Sequence, residues 1–419
     1  MRLSQIFTRT SKENPKDESS VNAQLLERAG FIYKNSAGIY TFLPLGWRVI
    51  QKISGIVRQE MNAIGGVEMF MPALIEKKYL DATGRWDVEI GFKIKSKPQS
   101  DAINKEAGFV LGWTHEEVLT EIASKFISSY RDLPFSAYQI QTKFRNEPRA
   151  KSGILRSREF IMKDLYSFHG SEIDLFKYYD EVKGAYNKIF HRAGLKTIYT
   201  VAGGGDFTIS NTHEFQVVAD IGEDKILICS KCEYAENGEI SHLKIGSQCP
   251  KCGGLIDEQK SIEVGNIFPL GAKYSKAFNL QFTDKDGAKK DVIMGSYGIG
   301  IGRVMGTVVE VHHDDKGIIW PQAVAPFRVH LIALEGGQKE ADKTYENLLH
   351  RGIEVLYDDR DYKTAGEKFA DADLIGCPIR FVVSKKTLEQ DSLEMKRRNE
   401  SKNELVNLTE YFKVIEKLK

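Results

Sequence analysis

A dense run of charged and aromatic residues, KFRNEPRAKSGILRSREFIMKDLYSF at 143–168, has the side-chain types that bind a nucleotide. Arg145 and Arg156 can each hold phosphate oxygens through two hydrogen bonds. Glu147 can accept a hydrogen bond from an amino group, and Phe160 offers a flat face to a base. On one face of a sheet, these residues suit a nucleotide that lies across the strands. The alternative, from spacing alone, is a polar sheet face with solvated charges.

A second signal lies around Arg303, which directly follows three closely spaced glycines. Gly298, Gly300 and Gly302 resemble the dinucleotide-binding pattern G-x-G-x-x-G, but the third glycine comes one residue early. No G-x-x-x-x-G-K-[ST] sequence occurs, which excludes a P-loop. Arg303 begins a predicted helix and could reach a further phosphate oxygen; a simple turn packed against that helix is the alternative.

The segment GWTHEEVLT places Thr114, His115, Glu116 and Glu117 at the start of a predicted helix. In one interpretation Thr114 caps the helix and Glu117 completes a capping box. In the other, the segment belongs to the site and Glu116 pairs with a substrate ammonium group.

Four of the five cysteines form two C-x2-C pairs, Cys229 with Cys232 and Cys249 with Cys252. In a chain without a secretion signal, this spacing predicts a metal site rather than disulfides. Four thiolates complete a closed tetrahedral shell, which indicates a structural role and favours Zn²⁺. The fifth cysteine, Cys377, is interpreted as a small core residue.

The elements that must position these residues follow from the hydrophobic periodicity. Helices are predicted at 20–29 and 46–63, and VEMFMPAL is predicted to be a strand. From Tyr138 the period becomes two, which predicts a strand of an antiparallel sheet with one polar face. The basic loop PRAKSG and the strand LRSREFIMKDLYSF complete a long hairpin, and KDVIMGSY predicts another strand. The polar face of the first hairpin strand carries Gln139, Gln141, Lys143, Arg145 and Glu147.

The length of 419 residues predicts two or three domains, because single cores stop growing near about 250–300 residues. With 42% hydrophobic and 28% charged residues, the composition is that of a soluble globular protein. A formal charge of +1 means that any anionic partner must be held by a local patch. No signal peptide or membrane-spanning run occurs, which predicts a cytoplasmic protein without membrane association. After WPQAVAPF, strands and helices alternate, which predicts a small α/β domain.

Several motifs together resemble a known family. FRNE, the basic loop and R-x-x-x-F, with Asp164 four residues on, resemble motif 2 of the class II aminoacyl-tRNA synthetases. GIGIGR resembles motif 3, and the segment ending at MFMPAL, with Pro72, resembles motif 1. Within that class, LGWTHEEVLT, REFIMKDLYSFH, NTHEFQV, IEVGNIFPLGAKYS and MGSYGIGIGR are similar to the bacterial-type prolyl-tRNA synthetases. The C-terminal YDDRDYKTAGEKFADADLIGCPIRFVV is similar to the anticodon-binding domain of this subclass.

The resemblance implies an α+β fold, with a class II catalytic domain built on an antiparallel β-sheet flanked by helices and a C-terminal α/β anticodon-binding domain. The catalytic domain would span 1–325, with a four-cysteine, zinc-ribbon-like insertion at 223–262, and the anticodon-binding domain would span 326–419. A homodimer is also implied, in which the helix at 46–63 packs across a two-fold axis. The apolar stripe of that helix would serve equally well inside one subunit.

The implied activity is ATP-dependent activation of L-proline and its transfer to tRNA(Pro), with ATP, Mg²⁺ and a structural Zn²⁺ as cofactors. The implied catalytic residues are Arg145, Arg156 and Arg303. The implied ATP-binding residues are Arg145, Glu147, Arg156, Phe160, Gln216 and Arg303. The implied proline-binding residues are Thr114, Glu116, Arg145, Tyr166, Thr212, His213 and Ser296. The candidates for tRNA binding are Arg149, Lys151, Asp358, Asp359, Arg360, Lys368 and Arg380, and the metal ligands are the four paired cysteines.

Two positions depart from the family pattern. Relatives commonly carry a large editing domain between motifs 2 and 3; in its place this chain has only about forty residues, 222–261, which contain the cysteine pairs. The chain is therefore predicted not to hydrolyse mischarged alanyl-tRNA(Pro). Ser296 stands where many relatives have cysteine. Three alternatives remain open: a catalytically inactive synthetase paralogue that binds nucleic acid, a synthetase for another amino acid such as threonine or alanine, and a zinc-ribbon nucleic-acid-binding protein.

Overall fold

The computed structural model describes residues 1–16, 18–95, 108–205, 207–208 and 210–417. The helices are α1 (Val21–Arg28), α2 (Pro44–Ala63), α3 (Lys77–Thr83), α4 (Glu116–Ser124), α5 (Glu172–Arg192), α6 (Lys273–Ala277), α7 (Ile301–Val311), α8 (Gln338–His350), α9 (Ala365–Ile375), α10 (Lys385–Leu388) and α11 (Tyr411–Lys417). The strands are β1 (Ile32–Ser36), β2 (Ile39–Phe42), β3 (Gly66–Glu68), β4 (Leu74–Glu76), β5 (Phe92–Ile94), β6 (Phe109–Leu111), β7 (Phe135–Phe144), β8 (Glu159–His169), β9 (Ile198–Ala202), β10 (Thr212–Val218), β11 (Asp224–Cys229), β12 (Ala235–Asn237), β13 (Ile256–Gly271), β14 (Gln281–Thr283), β15 (Lys289–Asp291), β16 (Ile293–Gly300), β17 (His313–Asp314), β18 (Gly317–Ile318), β19 (Val329–Ala333), β20 (Val355–Asp358), β21 (Ile379–Val383), β22 (Ser392–Arg397) and β23 (Asn403–Asn407).

The larger of two compact units comprises residues 35–40 and 53–307 and is built on a nine-stranded sheet. The strand order is β10-β9-β12-β11-β13-β16-β8-β7-β3, and β10 also pairs with β13. All pairs are antiparallel except β3 with β7 and β12 with β9. Helix α5 packs across β8, β13 and β16. An antiparallel sheet flanked by helices confirms the predicted fold class.

The β7–β8 hairpin is the central feature of this unit, and the sequence alternation predicted it correctly. Its register pairs Gln139 with Asp164 and Lys143 with Phe160. The face that the alternation marks as polar is buried, since Gln139, Gln141 and Lys143 are at most 5% exposed. Their polar atoms find partners inside the unit: Gln139 donates to Asp164 at 3.0 Å, and Lys143 lies 3.0 Å from the same carboxylate. The hairpin therefore carries a buried polar layer.

One local prediction was wrong, and two of the alternatives left open by the sequence are not found. VEMFMPAL does not form one strand, because β3 and β4 belong to different sheets. Helix α4 begins at Glu116 with His115 at the N-cap position and no side-chain cap, so Thr114 forms no capping box. Gly298 and Gly300 lie in strand β16, and the next residue already begins α7, so the glycines do not form a phosphate-binding loop.

The smaller unit comprises residues 1–34, 41–52 and 308–419. Its five-stranded sheet has the order β20-β19-β21-β22-β23, with β19 parallel to both β20 and β21. The predicted alternation of β19, α8, β20, α9 and β21 is confirmed, whereas the β22–β23 hairpin was not predicted. The amino terminus packs in this unit, where the ammonium group of Met1 donates to the Tyr345 hydroxyl and the Val355 carbonyl, both at 2.8 Å. The predicted boundary between 325 and 326 stays a prediction.

The apolar stripe of α2 is satisfied within a single chain. Val49, Ile53, Val57 and Met61 are all fully buried. This is the alternative stated above for the predicted dimer helix, so the stripe itself gives no argument for a second subunit.

Candidate active site

Two adjoining cavities open on the β7–β8 hairpin in the larger unit. The first, the arginine cavity, is lined by all five residues that the sequence predicted for nucleotide binding in motifs 2 and 3. They come from different segments: the residues just after β7, the loop before β8, β8 itself and the first turn of α7. Pairing of β16 with β8 brings the start of α7 beside the hairpin. The five residues are Arg145, Glu147, Arg156, Phe160 and Arg303.

Arg303 and Arg156 are held by protein acceptors. Arg303 donates from Nε to the Leu155 carbonyl at 2.9 Å and from Nη1 to the Glu263 carbonyl at 2.9 Å and carboxylate at 3.1 Å. Arg156 donates from Nε to Glu147 at 3.0 Å. Both guanidinium groups remain partly exposed, at 31% and 43%. They are thus oriented before any ligand arrives and can still reach one.

Arg145 differs from the other two arginines because no carboxylate of the described residues pairs with it. Its guanidinium lies over the Phe160 ring, 5.3 Å from the centroid. Burial lowers the pKa of Arg145, and the neighbouring charge of Arg303 lowers it further. A cation that has no carboxylate partner of its own and lies beside a like charge favours a ligand that is itself an anion.

The second cavity, the glutamate cavity, shares Arg145 and Glu147 with the first. Glu116 is 1% exposed and accepts a hydrogen bond from Ser296 at 3.0 Å and another from Thr114. The hydroxyl of Tyr166 accepts from the His115 backbone at 2.9 Å. Thr114, Glu116, Tyr166 and Ser296, all predicted from the sequence, therefore line one cavity beside Arg145.

Three predicted ligand residues do not line either cavity. Thr212 is fully buried and donates to the Gly203 carbonyl at 2.9 Å. His213 stacks on Tyr199 with ring centroids 4.3 Å apart. Gln216 is fully buried, and its amide donates to Glu214 at 2.8 Å and Asp224 at 3.0 Å. The side chains of these residues are thus engaged with the protein.

Sequence reasoning missed several residues of the glutamate cavity. Arg85 follows α3, and Asp164 lies on β8 between two residues that were noted. Trp113, Phe207 and Phe268 supply apolar walls. Asp164, Trp113 and Phe268 lie within quoted motifs, whereas Arg85 and Phe207 lie outside helices and strands and have no periodicity from which a cavity can be inferred.

The four paired cysteines come together in the larger unit, with all Sγ atoms within 4.8 Å of one another. Cys229 and Cys252 are 3.5 Å apart, and Cys232 and Cys249 are 3.8 Å apart. Tetrahedral zinc with Zn–S bonds of about 2.3 Å places sulfurs about 3.8 Å apart. In both pairs the backbone N–H two residues after the first cysteine points to its sulfur, at 3.4 Å. The cluster therefore fits a metal ion.

Among the residues predicted to bind tRNA, Arg149 and Lys151 are exposed in the loop of the hairpin. In the smaller unit, Asp358, Arg360 and Lys368 are at most 4% exposed. Arg360 donates to Asp358 at 2.8 and 2.6 Å, and Lys368 donates to the Ala333 carbonyl at 2.7 Å. Burial and mutual pairing argue against these three side chains as direct contacts to RNA, which corrects that part of the prediction.

Two further predicted residues of the smaller unit are partly accessible. Asp359 accepts from the backbone and side chain of Ser4, and Arg380 pairs with Asp373 at 3.2 Å. Arg380 also lies over the Phe369 ring at 4.7 Å. Both side chains have internal partners that an RNA ligand would have to displace or share.

Comparisons with known proteins agree with this geometry. Residues 92–312 match the tRNA synthetase class II core domain (G, H, P, S and T), and residues 324–418 match an anticodon binding domain. The core match covers more than half of the chain, which therefore has the class II aminoacyl-tRNA synthetase core. Within that class, the chain belongs to the proline–tRNA ligase family, as its relatives establish.

A proline–tRNA ligase of Wolbachia sp. subsp. Brugia malayi is 40% identical, with 99% of this chain and 100% of that protein aligned. A proline–tRNA ligase of Dehalococcoides mccartyi is 33% identical, with 97% of each chain aligned. The crystal structure of prolyl-tRNA synthetase from Cryptosporidium parvum, complexed with halofuginone and AMPPNP, matches with a TM-score of 0.77 at 20% identity. That match covers 95% of this chain and 74% of the other and supports the shared fold.

The alignments also bear on the predicted absence of an editing domain. The one with D. mccartyi extends over 561 positions, more than the 419 residues of this chain, so that relative contains long segments that this chain lacks. The one with the Wolbachia protein extends over only 435 positions and covers all of it. A chain of this length is consistent with the lack of an editing insertion. In the part of the chain that the structure describes, no helix has the length and apolar character needed to cross a membrane.

Proposed function

We propose that this protein activates L-proline with MgATP and transfers the prolyl group to the 3′ end of tRNA(Pro). One observation carries the proposal: Arg145, which has no carboxylate partner among the described residues, lies where the arginine and glutamate cavities meet. An amino acid carboxylate and the α-phosphate of ATP must approach each other in this reaction, and a shared guanidinium between two cavities serves both.

In the first step, a carboxylate oxygen of proline attacks the α-phosphorus of ATP, the bond to the β-phosphate oxygen breaks, and pyrophosphate leaves. The protein must hold two anions in line and stabilise charge on the phosphoryl oxygens. Arg145 counters the repulsion between the anions, while Arg156 and Arg303 hold the outer phosphates. No protein nucleophile is required. In the second step, a ribose hydroxyl of the terminal tRNA adenosine attacks the carbonyl carbon, and AMP leaves.

The remaining residues of the arginine cavity suit the adenine base. Arg156 orients Glu147, whose carboxylate oxygens can also accept a hydrogen bond from the adenine amino group. Phe160 offers a ring face to the base. Gln216 has no such access, and its role as an ATP ligand would require its contacts with Glu214 and Asp224 to change.

The glutamate cavity suits a small ring that carries a charged secondary amine. Glu116, held by Thr114 and Ser296, provides the anion for the prolyl ammonium group. Trp113, Phe207 and other aromatic walls exclude water from the apolar ring. We therefore place the proline-binding role on Thr114, Glu116, Arg145, Tyr166 and Ser296, without Thr212 and His213.

For tRNA, the exposed Arg149 and Lys151 of the hairpin loop suit the acceptor end, whose phosphates need local positive charge in a protein of net charge +1. In the smaller unit, the match of residues 324–418 to an anticodon binding domain supports binding of the anticodon, with Arg380 and Asp359 as the accessible candidates.

The four-cysteine cluster suits a structural Zn²⁺, held by Cys229, Cys232, Cys249 and Cys252 beside a small hydrophobic cluster around Leu227 and Ile256. A homodimer is supported by the outer edge of the nine-stranded sheet. There β3 is the last strand, and Val67 within it and Phe70 just after it are 66% and 75% exposed. An unpaired, apolar sheet edge is a surface that proteins usually cover.

Amino acid-dependent exchange of pyrophosphate into ATP, run with each of the twenty amino acids, tests the proposal. We expect exchange with proline far above the other nineteen. Exchange with threonine or alanine instead would give the chain a different substrate, and no exchange with any amino acid would favour the inactive paralogue. Purified protein is also expected to leave alanyl-tRNA(Pro) intact, since this chain lacks the long segments that its D. mccartyi relative contains.

A further inference from the structure

Arg85 is a buried arginine in the wall of the glutamate cavity with no role in the reaction described so far. It is 6% exposed, and its guanidinium lies among the rings of Phe207, Trp113 and Tyr274 at 5.0, 5.8 and 5.8 Å. Its Nη1 atom donates to the Tyr274 hydroxyl at 3.0 Å. A cation in such surroundings requires an anionic partner.

Two adjacent glutamates at the start of α4 compete for that cation. Arg85 Nη1 donates to Glu117 Oε1 at 2.8 Å, whereas Glu116 Oε2 is farther away, at 3.5 Å. The Thr83 hydroxyl donates to the same Glu117 oxygen at 2.9 Å. Burial raises the pKa of Glu117, and Arg85 is the strongest influence in the opposite direction. Glu117 is therefore the main partner of Arg85, and Glu116 remains turned to Ser296.

In the part of the glutamate cavity proposed to bind the substrate amine, carboxylates then outnumber cations by one. A second buried pair, Lys143 with Asp164 at 3.0 Å, is balanced in the same way. His115, which accepts from Lys143 at 2.7 Å, is neutral at pH 7 because burial lowers its pKa to about 4. Apart from Arg145, which the proposed function assigns to the substrate carboxylate, three carboxylates face two cations here, so one negative charge, that of Glu116, awaits a ligand cation.

We infer that Arg85 is a positioning residue for recognition of the substrate amine: by pairing with Glu117, it leaves Glu116 as the single carboxylate available to the ammonium group. The inference rests on the proposed function. It differs from a purely structural reading, in which Arg85 and Glu117 form a buried ion pair that stabilises the fold and has no effect on which ligand binds.

A double-mutant cycle separates the two readings. Arg85→Gln leaves Glu117 without a cation beside Glu116, and Glu117→Gln frees Arg85 to pair with Glu116 in competition with the substrate. We expect each single variant to raise the KM for proline by about tenfold or more, the range of one charged hydrogen bond, with the KM for ATP within about twofold. The double variant removes both charges together and is expected to recover to within about threefold of the parent KM for proline.

The assay is pyrophosphate exchange with proline and ATP varied separately, supported by circular dichroism and thermal melting for each variant. If a single variant is insoluble, Arg85→Lys replaces Arg85→Gln. It keeps the charge but has one nitrogen to serve both Glu117 and Tyr274, so we expect a smaller rise in the KM for proline and again none for ATP.

Recovery in the double variant supports the inference. Additive losses in the double variant, or equal changes in the KM for ATP and for proline, would overturn it and leave the proposed function intact. A parent protein that shows no proline-dependent exchange would overturn the proposed function and the inference together.

Discussion

Replacing Arg303 by lysine tests whether the arrangement of its donors, beyond its charge, contributes to catalysis. The guanidinium bridges two separated acceptors, the Leu155 carbonyl through Nε and the Glu263 carbonyl through Nη1, both at 2.9 Å. The ammonium group of a lysine has one nitrogen and cannot reach both positions at once. Arg303→Lys therefore keeps a positive charge near the phosphates while losing the fixed direction of the donors that point to the ligand.

The expected magnitude follows from that geometry. Hydrogen bonds from charged donors contribute about 1.5–3 kcal/mol each, and one such contact to the outer phosphates is expected to be lost. At about 1.36 kcal/mol per tenfold, this corresponds to a fall of about 10- to 150-fold in kcat/KM for ATP. The KM for proline should change less than about twofold, because Arg303 lines the arginine cavity and is absent from the wall of the glutamate cavity.

Pyrophosphate exchange at saturating proline, with ATP varied, measures this effect. Arg192→Lys is the matched control: Arg192 also bridges two acceptors, Glu60 and Gln59 at 2.6 Å, but it ends α5 and lines neither cavity. We expect parent-like kinetics from the control. If Arg303→Lys stays within threefold of the parent, or if its proline KM rises as much as its ATP KM, the assignment of Arg303 to the phosphates is refuted.

Three further outcomes are expected. Metal analysis of purified protein should find about one zinc per chain, and Cys232→Ser combined with Cys252→Ser should lose it and lower the melting temperature; metal-free parent protein with an unchanged melting temperature would contradict the site. In the smaller unit, the Arg398 guanidinium lowers the pKa of Asp314 from 3.8 to about 2. Asp314→Asn should therefore cost about 1 kcal/mol at neutral pH, after allowance for its 41% exposure, and only a small fraction of that near pH 2. The stabilisation is complete only above the unfolded pKa of 3.8 and is lost as the pH falls through about 2, so urea unfolding at the two pH values checks this. Glu116→Gln should raise the proline KM at least about tenfold while ATP binding, followed by calorimetry, stays unchanged.

The main fold elements could be predicted from the sequence because each depends on short-range patterns. Alternation over ten residues located β7, and helical spacing located α2 to within two residues at its start. Arg145, Arg156 and Phe160 meet in the arginine cavity because a hairpin fixes which residues of neighbouring strands are opposite each other. The alternation could not reveal that the polar face of β7 is buried. A polar residue is exposed or buried according to its partners, and those of Gln139 and Lys143 are supplied by Asp164 on the next strand.

Arginines that line a cavity and arginines that do not can likewise be told apart only in the tertiary structure. Both Arg360 and Arg145 were predicted to contact a ligand; Arg360 lies among acidic residues after one predicted strand, and Arg145 lies in a mostly basic run on another. In the structure, Arg360 is neutralised by Asp358 and by Asp371, which α9 brings to within 2.8 Å, and its charge is already satisfied. Arg145 has no carboxylate partner among the described residues and faces the like charge of Arg303. A cation that the fold leaves unmatched beside a cavity is the one that a ligand must neutralise, so the pairing of charges, which only the tertiary structure determines, marks the site more reliably than the charges themselves.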